Sequence, residues 1–303
     1  MELQNRIQRE AERSVAWVKD NKMVCSGDKT KLLVIGTQEL RHNLLNIPEI
    51  EIKVKVGNNI VKESKSEKLL GLIVSNDLTW KNYLYGETWR PKAADNFKGL
   101  IPKLSQRIGL LKQLRKKMSL DKFKMISDRI LSSLIIYCIQ VYGNVFGVQN
   151  NDETSRRYTS FSRADCNKLQ VLQNKVLKLQ TGLPRDFPTK DLLSKTKELS
   201  INQLIAFHTL IQMHKIIVNK KPSSISRKCV VRNPHDGITF PHRITSTITP
   251  VNKRLNLTRA GFIYRGTALF NQLPLPLRTC TKTNKFKEDA KHWVLLNVDI
   301  KAN

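Results

Sequence analysis

The spacing of apolar residues changes once along the chain, at Trp80, and this change restricts the fold more than any other feature. Upstream, Ile50, Ile52, Val54 and Val56 alternate with charged or polar residues, the two-residue period of a half-buried strand. Residues 31–35 (Lys-Leu-Leu-Val-Ile, stopped by Gly36) predict a short strand, and Gly57-Asn58-Asn59 predicts a turn. Residues 69–74 are apolar except for Gly71 and predict a strand buried on both faces. Only residues 2–20 depart from this, because Leu3, Ile7, Ala11, Val15 and Val18 step by four and three, the period of an amphipathic helix. Up to Trp80 the chain therefore reads as one helix on a small sheet.

After Trp80 the helical period takes over. Leu104, Ile108, Leu111, Leu114 and Met118 define one helix. Ser119 stands at the cap of a second, whose face carries Phe123, Ile126, Ile130, Leu134, Tyr137 and Val141 and which ends near Gly143. The two are expected to form a hairpin around a joint of one or two residues. Residues 150–163 are polar and read as a linker. Ser162 with Asp165, and Ser200 with Gln203, have capping-box spacing. The first opens a helix through Leu169, Leu172, Val176 and Leu179, ended by Gly182. The second opens one through Leu204, Phe207, Ile211, His214 and Ile217, closed by Lys220-Lys221-Pro222. Residues 223–258 read as irregular. A short helix is expected over 266–271, and a last one from near Asn284 through Phe286, Ala290, Trp293 and Leu296.

Lys and Arg number 53 and Asp and Glu 25, a net charge of +28 on 303 residues. Such an excess makes a polyanion the default partner, while 40% hydrophobic residues suffice for a packed core. The charge is concentrated. Residues 100–135 hold nine Lys/Arg against Asp121 and Asp128, a net of +7, and residues 215–265 hold eleven against Asp236, a net of +10. The first group falls on the helical hairpin and the second on chain expected to be irregular. The five cysteines (Cys25, Cys138, Cys166, Cys229 and Cys280) form no C-x-x-C pair, which argues against a disulfide framework or a cysteine-built zinc site and fits a reducing, intracellular compartment, nucleus or cytoplasm. The charged N-terminus lacks a signal-peptide core. The longest uncharged run, 130–151, carries Ser132, Ser133, Gln140, Asn144 and Gln149, so a buried helix is expected there and a membrane is not an expected partner.

No catalytic constellation emerges. The thirteen aspartates contain no Asp-Asp pair, and the adjacent acidic pairs are Asp152-Glu153 and Glu288-Asp289. Two-metal phosphoryl transfer needs carboxylates gathered around ions about 4 Å apart. Asp20 and Asp28 read as a helix-end and a turn residue. The six histidines give no H-E-x-x-H; His208 and His214 fall on different faces of one helix, and Cys229 with His235 and His242 matches no defensible metal spacing. No G-x-S-x-G, P-loop or G-x-G-x-x-G is present.

The order of the landmarks carries a resemblance. Trp17-x-x-x-Asn21, Asp28-Lys29-Thr30 and Leu32-Leu33-Val34-Ile35-Gly36 resemble the fourth palm motif of non-LTR (LINE-type, jockey/CR1-like) retrotransposon reverse transcriptases. Lys68-Leu69-Leu70-Gly71-Leu72-Ile73 through Leu78-Thr79-Trp80 resembles the fifth, the primer-grip hairpin. Arg107-Ile108-Gly109 to Arg115, with Tyr137 and Val141-Tyr142-Gly143, is similar to the family's thumb helices. Leu172-Gln173-Asn174-Lys175 and Leu199-Ser200-Ile201-Asn202-Gln203-Leu204 follow its region after the thumb, and residues 270–278 with Phe286-Lys287 resemble its C-terminal tail. There are departures. The family's catalytic acids lie upstream of the first landmark, and this sequence starts after them; Ser75 stands where the fifth motif usually has an acid, and Tyr142 and Phe270 where the family usually has tryptophan.

The resemblance implies an α+β fold: a palm remnant over 1–80 with one helix and a small sheet, a helical thumb over 81–149, a linker over 150–162, and a basic helical C-terminal domain over 163–303. A sheet without its central strands is expected to expose an unpaired edge. The implied function is that of a truncated reverse-transcriptase fragment, not itself a polymerase, that binds RNA or an RNA/DNA template–primer without reading sequence. Lys112, Arg115, Lys116, Lys117, Lys122 and Lys124 of the hairpin, with Arg232, Arg243, Lys253 and Arg254, are the expected phosphate contacts. Lys29, Gly71 and Trp80 are the residues carried by the palm motifs, and Trp80, Tyr83, Tyr85 and Trp89 are aromatic groups near the palm–thumb joint that can stack on bases or pack in the core. No cofactor is expected, with magnesium entering only if a catalytic palm completes the chain. Two alternatives stand beside this reading: a piece of an active RNA-directed DNA polymerase, and a basic interaction protein for acidic proteins or lipids.

Overall fold

The computed structural model describes residues 2–36, 52–57, 59–86, 98–147, 161–227, 229–232, 247–250 and 261–300. It is an α+β fold of helices and antiparallel two-stranded sheets, and its contacts divide the chain into two compact units, Met1–Gly99 and Leu100–Asn303.

In the first unit, α1 (Glu2–Asp20) forms as its spacing predicts and lays Ile7, Ala11 and Val15 against Val54, Val56 and Val61 of a hairpin. That hairpin pairs β1 (Lys53–Val56) with β2 (Asn59–Lys62) in the register Val54↔Val61. The free edge of β1 is not bare. The Gln8 side chain accepts the Lys55 N–H at 2.8 Å and donates to the Lys55 carbonyl at 3.1 Å, standing in for a neighbouring strand. The strand expected over 31–35 reduces to one parallel bridge, Leu32↔Glu63, because β2 has already ended at Lys62 and offers little further backbone to pair.

The strand expected over 69–74 is instead the tip of a second hairpin, β3 (Ser66–Leu69) with β4 (Leu72–Ser75). Leu70 and Gly71 both take positive φ, 48° and 89°, the two-residue turn whose twist suits a hairpin. Leu70 is 85% exposed, so the continuous apolar run reflects a turn and not a doubly buried strand. A short helix, α2 (Lys81–Tyr85), packs on β4 and buries Tyr83 and Leu84.

Among the described residues, the second unit is helices and their connections apart from one strand pair. Helix α3 (Leu100–Arg115) buries Leu100, Leu104, Ile108 and Leu111. The joint that follows spans residues 116–119, longer than expected, and Ser119 precedes α4 (Leu120–Ser127) in extended geometry without a side-chain capping bond. The expected single helix to Gly143 is broken twice. A π-helical turn, Asp128–Ser132, leads into α5 (Ser133–Ile136), and Cys138 in the left-handed region (φ 54°) separates α6 (Ile139–Tyr142). The buried stripe is therefore Phe123, Ser127, Leu131, Ile135, Ile139 and Tyr142, not the neighbouring stripe through Ile126, Ile130 and Leu134. A run of four-residue steps drifts off one face of a 3.6-residue helix, and the wider π turn restores it. The run Leu120–Tyr142 is long and apolar enough to cross a membrane; 28% of its most apolar window is buried, so it packs by a stripe and not all round.

Both capping boxes form. Ser162 and Asp165 open α7 (Arg163–Thr181), which Gly182 closes at φ 69°. A helix the pattern did not predict, α8 (Thr189–Thr196), buries Leu192 and Leu193. Ser200 and Gln203 open α9 (Ile201–Ile217), the central element, buried on most of its circumference. A short turn, α10 (Ser223–Ser226), leads to β5 (Cys229–Arg232), which pairs with β6 (Thr247–Pro250) where irregular chain was expected. Helix α11 (Phe262–Asn271) crosses α9 at Gly266, where a Cβ would sit 2.6 Å from the Met213 sulfur. After one turn, α12 (Leu275–Arg278), helix α13 (Thr283–Asn297) completes the core with Phe286, Ala290 and Val294.

Candidate nucleic-acid interface

Within the second unit, the end of α3, the 116–119 joint and the start of α4 bring five lysines to one region of sequence and fold. Lys112, Lys116, Lys117, Lys122 and Lys124 are all exposed, because the stripe through Leu104, Ile108, Leu111 and Phe123 takes the opposite faces of both helices inward. Among the described residues, Lys112, Lys116, Lys117 and Lys122 pair with no carboxylate, while Lys124 lies in the field of Glu198. Leu110, Leu120 and Met125 are exposed on the same two helices, so cationic heads alternate with apolar surface.

Arg115 differs from these lysines. Its guanidinium lies over the Phe123 ring, 5.7 Å from the centroid, and its Nε donates to the Leu179 carbonyl at 3.3 Å. It joins α3 to α4 and α7, and is half-buried. Arg107 likewise donates to the Ile130 carbonyl at 3.0 Å, beside the π turn.

The C-terminal cations divide as well. Arg232 lies in β5, whereas Arg243, Lys253 and Arg254 fall outside the described residues. Arg265, counted from sequence among the second basic group, turns inward: its guanidinium donates to the carbonyls of Gly143 and, at 3.1 Å, Val141, the end of α6. Burial brings its pKa down to about 10, still well above neutrality, so a full positive charge caps a helix C-terminus. Lys215, Lys220, Lys221 and Arg227 remain exposed around the end of α9.

Of the residues taken from the palm motifs, Lys29 is exposed in the turn after Gly27, and its neighbour Asp28 accepts a hydrogen bond from Asn59 at 3.2 Å, a turn-bracing role. Gly71 makes the β3–β4 turn. Trp80 is half-buried and meets Tyr83 edge to face, with centroids 6.3 Å apart. Tyr83 is 5% exposed and has no face left for a base, which removes it from the proposed stacking group; Tyr85 is 37% exposed, and Trp89 lies outside the described residues. Ser75 is buried and accepts from Asn82 at 3.2 Å.

Among the described residues no three His, Cys, Asp or Glu side chains gather as metal ligands. His214 is a core residue, and His208 is half-buried, with burial and then Lys215 holding its pKa below the usual range. His42, His235 and His242 lie outside the described residues. All five cysteines are free thiols. No family model, curated protein or solved structure matches the chain.

Proposed function

We propose that the chain derives from a non-LTR retrotransposon reverse transcriptase and binds RNA or an RNA/DNA duplex through phosphate contacts, without polymerising. The observation that carries this reading is the exposed set Lys112, Lys116, Lys117, Lys122 and Lys124 around one helix–helix joint. Ammonium groups on flexible stems suit phosphate oxygens of any sequence, so they position a strand without reading it. The ordered landmarks support the origin, and so does the β3–β4 hairpin, which forms over the residues that resemble the fifth palm motif. The part of this reading that excludes polymerisation rests on the lack of an Asp-Asp pair in the sequence, and primer extension with magnesium tests it directly: nucleotide incorporation would overturn it.

Filter binding of a structured RNA across a salt series tests the interface. Each phosphate contact contributes about −0.7 to −0.9 to the slope of log K against log salt. Changing the five lysines to Gln should flatten that slope by roughly four units and weaken binding uniformly across RNA sequences. An unchanged slope would remove this surface from the function. Arg115 is left intact, because its loss would disturb packing.

A further inference from the structure

A cavity of about 60 Å³ opens inside the helical unit where α3, the π turn, α7 and α9 meet. By volume it has room for about four waters. Its inner wall is apolar, with Leu104, Ile108, Leu131 and Val176, and two carboxylates line its polar side, Asp128 and Glu198. The widened turn Asp128–Ser132 supplies Asp128, Leu131 and Ser132 to the wall. Such turns are frequent at functional sites. Gln180 donates to Ser127 at 2.7 Å and to one oxygen of Asp128 at 2.6 Å, which fixes that carboxylate. Glu198 accepts no side-chain hydrogen bond among the described residues, and the negative charge of Asp128 acts on it. Lys124 and Lys291 also act on Glu198, from α4 and α13.

We propose that this cavity binds a small organic cation, a primary ammonium on a branched apolar tail of about four carbons. The tail replaces water against Leu104, Ile108, Leu131 and Val176. The ammonium lies between Asp128 and Glu198, where its donors meet acceptors and its charge relieves their mutual repulsion. An anion is disfavoured by both acids, and a neutral alcohol of the same shape gains only the apolar part. The site adjoins the lysine surface at Lys124, whose charge reaches Glu198.

Methyl NMR of the full chain, titrated with isobutylamine, isobutanol and isobutyrate at neutral pH, tests the proposal. Isobutylammonium should shift the Leu104 and Val176 methyls saturably with a Kd of about 1 mM, with the alcohol roughly ten-fold weaker and the acid without effect. Glu198→Gln, a change at the exposed mouth, should weaken the amine roughly ten-fold and leave the alcohol unchanged. Val176→Phe should abolish both. Absence of saturable shifts, equal affinity for amine and alcohol, or an amine affinity indifferent to Glu198→Gln would each overturn the site, whatever the outcome for RNA.

Discussion

His214 lies flat against Phe286, with ring centroids 4.1 Å apart and planes 19° apart. Its Nε2 is 2.7 Å from the Cys280 carbonyl oxygen, which can only accept, so Nε2 carries the proton. One fully buried imidazole thus binds α9 to α13 by stacking and to the preceding loop by a hydrogen bond. His214→Ala removes both and leaves a void and a stranded carbonyl. It should cost about 3 kcal/mol, read as a lower denaturation midpoint in guanidinium. A midpoint within error of the parent would show that the ring contributes nothing to the core.

Much of the fold was legible where a local rule names its residues. The α1 stripe at Ile7, Ala11 and Val15, both capping boxes and the Gly182 stop appear in the structure at the residues that predicted them. What escaped was set by tertiary geometry. An apolar run such as Leu69-Leu70-Gly71-Leu72 reads as a buried strand until the twist of the hairpin places Leu70 in the turn. The π turn leaves only a four-residue stepping of Ser127, Leu131 and Ile135, which a helical pattern absorbs unnoticed. Helix α8 is short, and only Leu192-Leu193 after Pro188 marks it. Charge counting could not separate Arg115 and Arg265 from the exposed lysines, because their carbonyl partners come from residues far along the chain.

Arg265 gives a second prediction. It serves the carbonyls of Val141 and Gly143 from α11, so Arg265→Met keeps the stem and removes the donors. Two acceptors at a helix end lose a charged partner, for a loss of about 2–4 kcal/mol. RNA affinity at fixed salt, measured on the folded fraction, should remain that of the parent. A variant of parental stability with weakened RNA binding would return Arg265 to the surface patch.

The thiols should separate by environment. Burial, with Asp165 adding to it, pushes the Cys166 pKa up to about 12, so at pH 8 about one thiol in ten thousand is ionised. Burial raises Cys138 and Cys229 as well, while Cys25 is exposed. Iodoacetamide followed by peptide mass mapping should label Cys25 first and Cys166 only after denaturant is added. Early labelling of Cys166 in the native chain would contradict the packing of α7.

Glu198 fixes the sign of one pH dependence. Burial, then the negative charge of Asp128, raises its proton affinity, against Lys291 and Lys124. The folded chain therefore holds this proton more tightly than the unfolded chain does. Its contribution to stability is fully present below the ordinary glutamate range and is lost as pH rises through the raised folded value. Glu198→Gln stays neutral throughout, so it should be more stable than the parent at pH 7, and the difference should vanish near about pH 4. Solvent at the mouth keeps the gain small. Thermal melts of both proteins from pH 4 to pH 8 read it directly, and a parent more stable than the variant at neutral pH would mean that Glu198 holds a cation partner already.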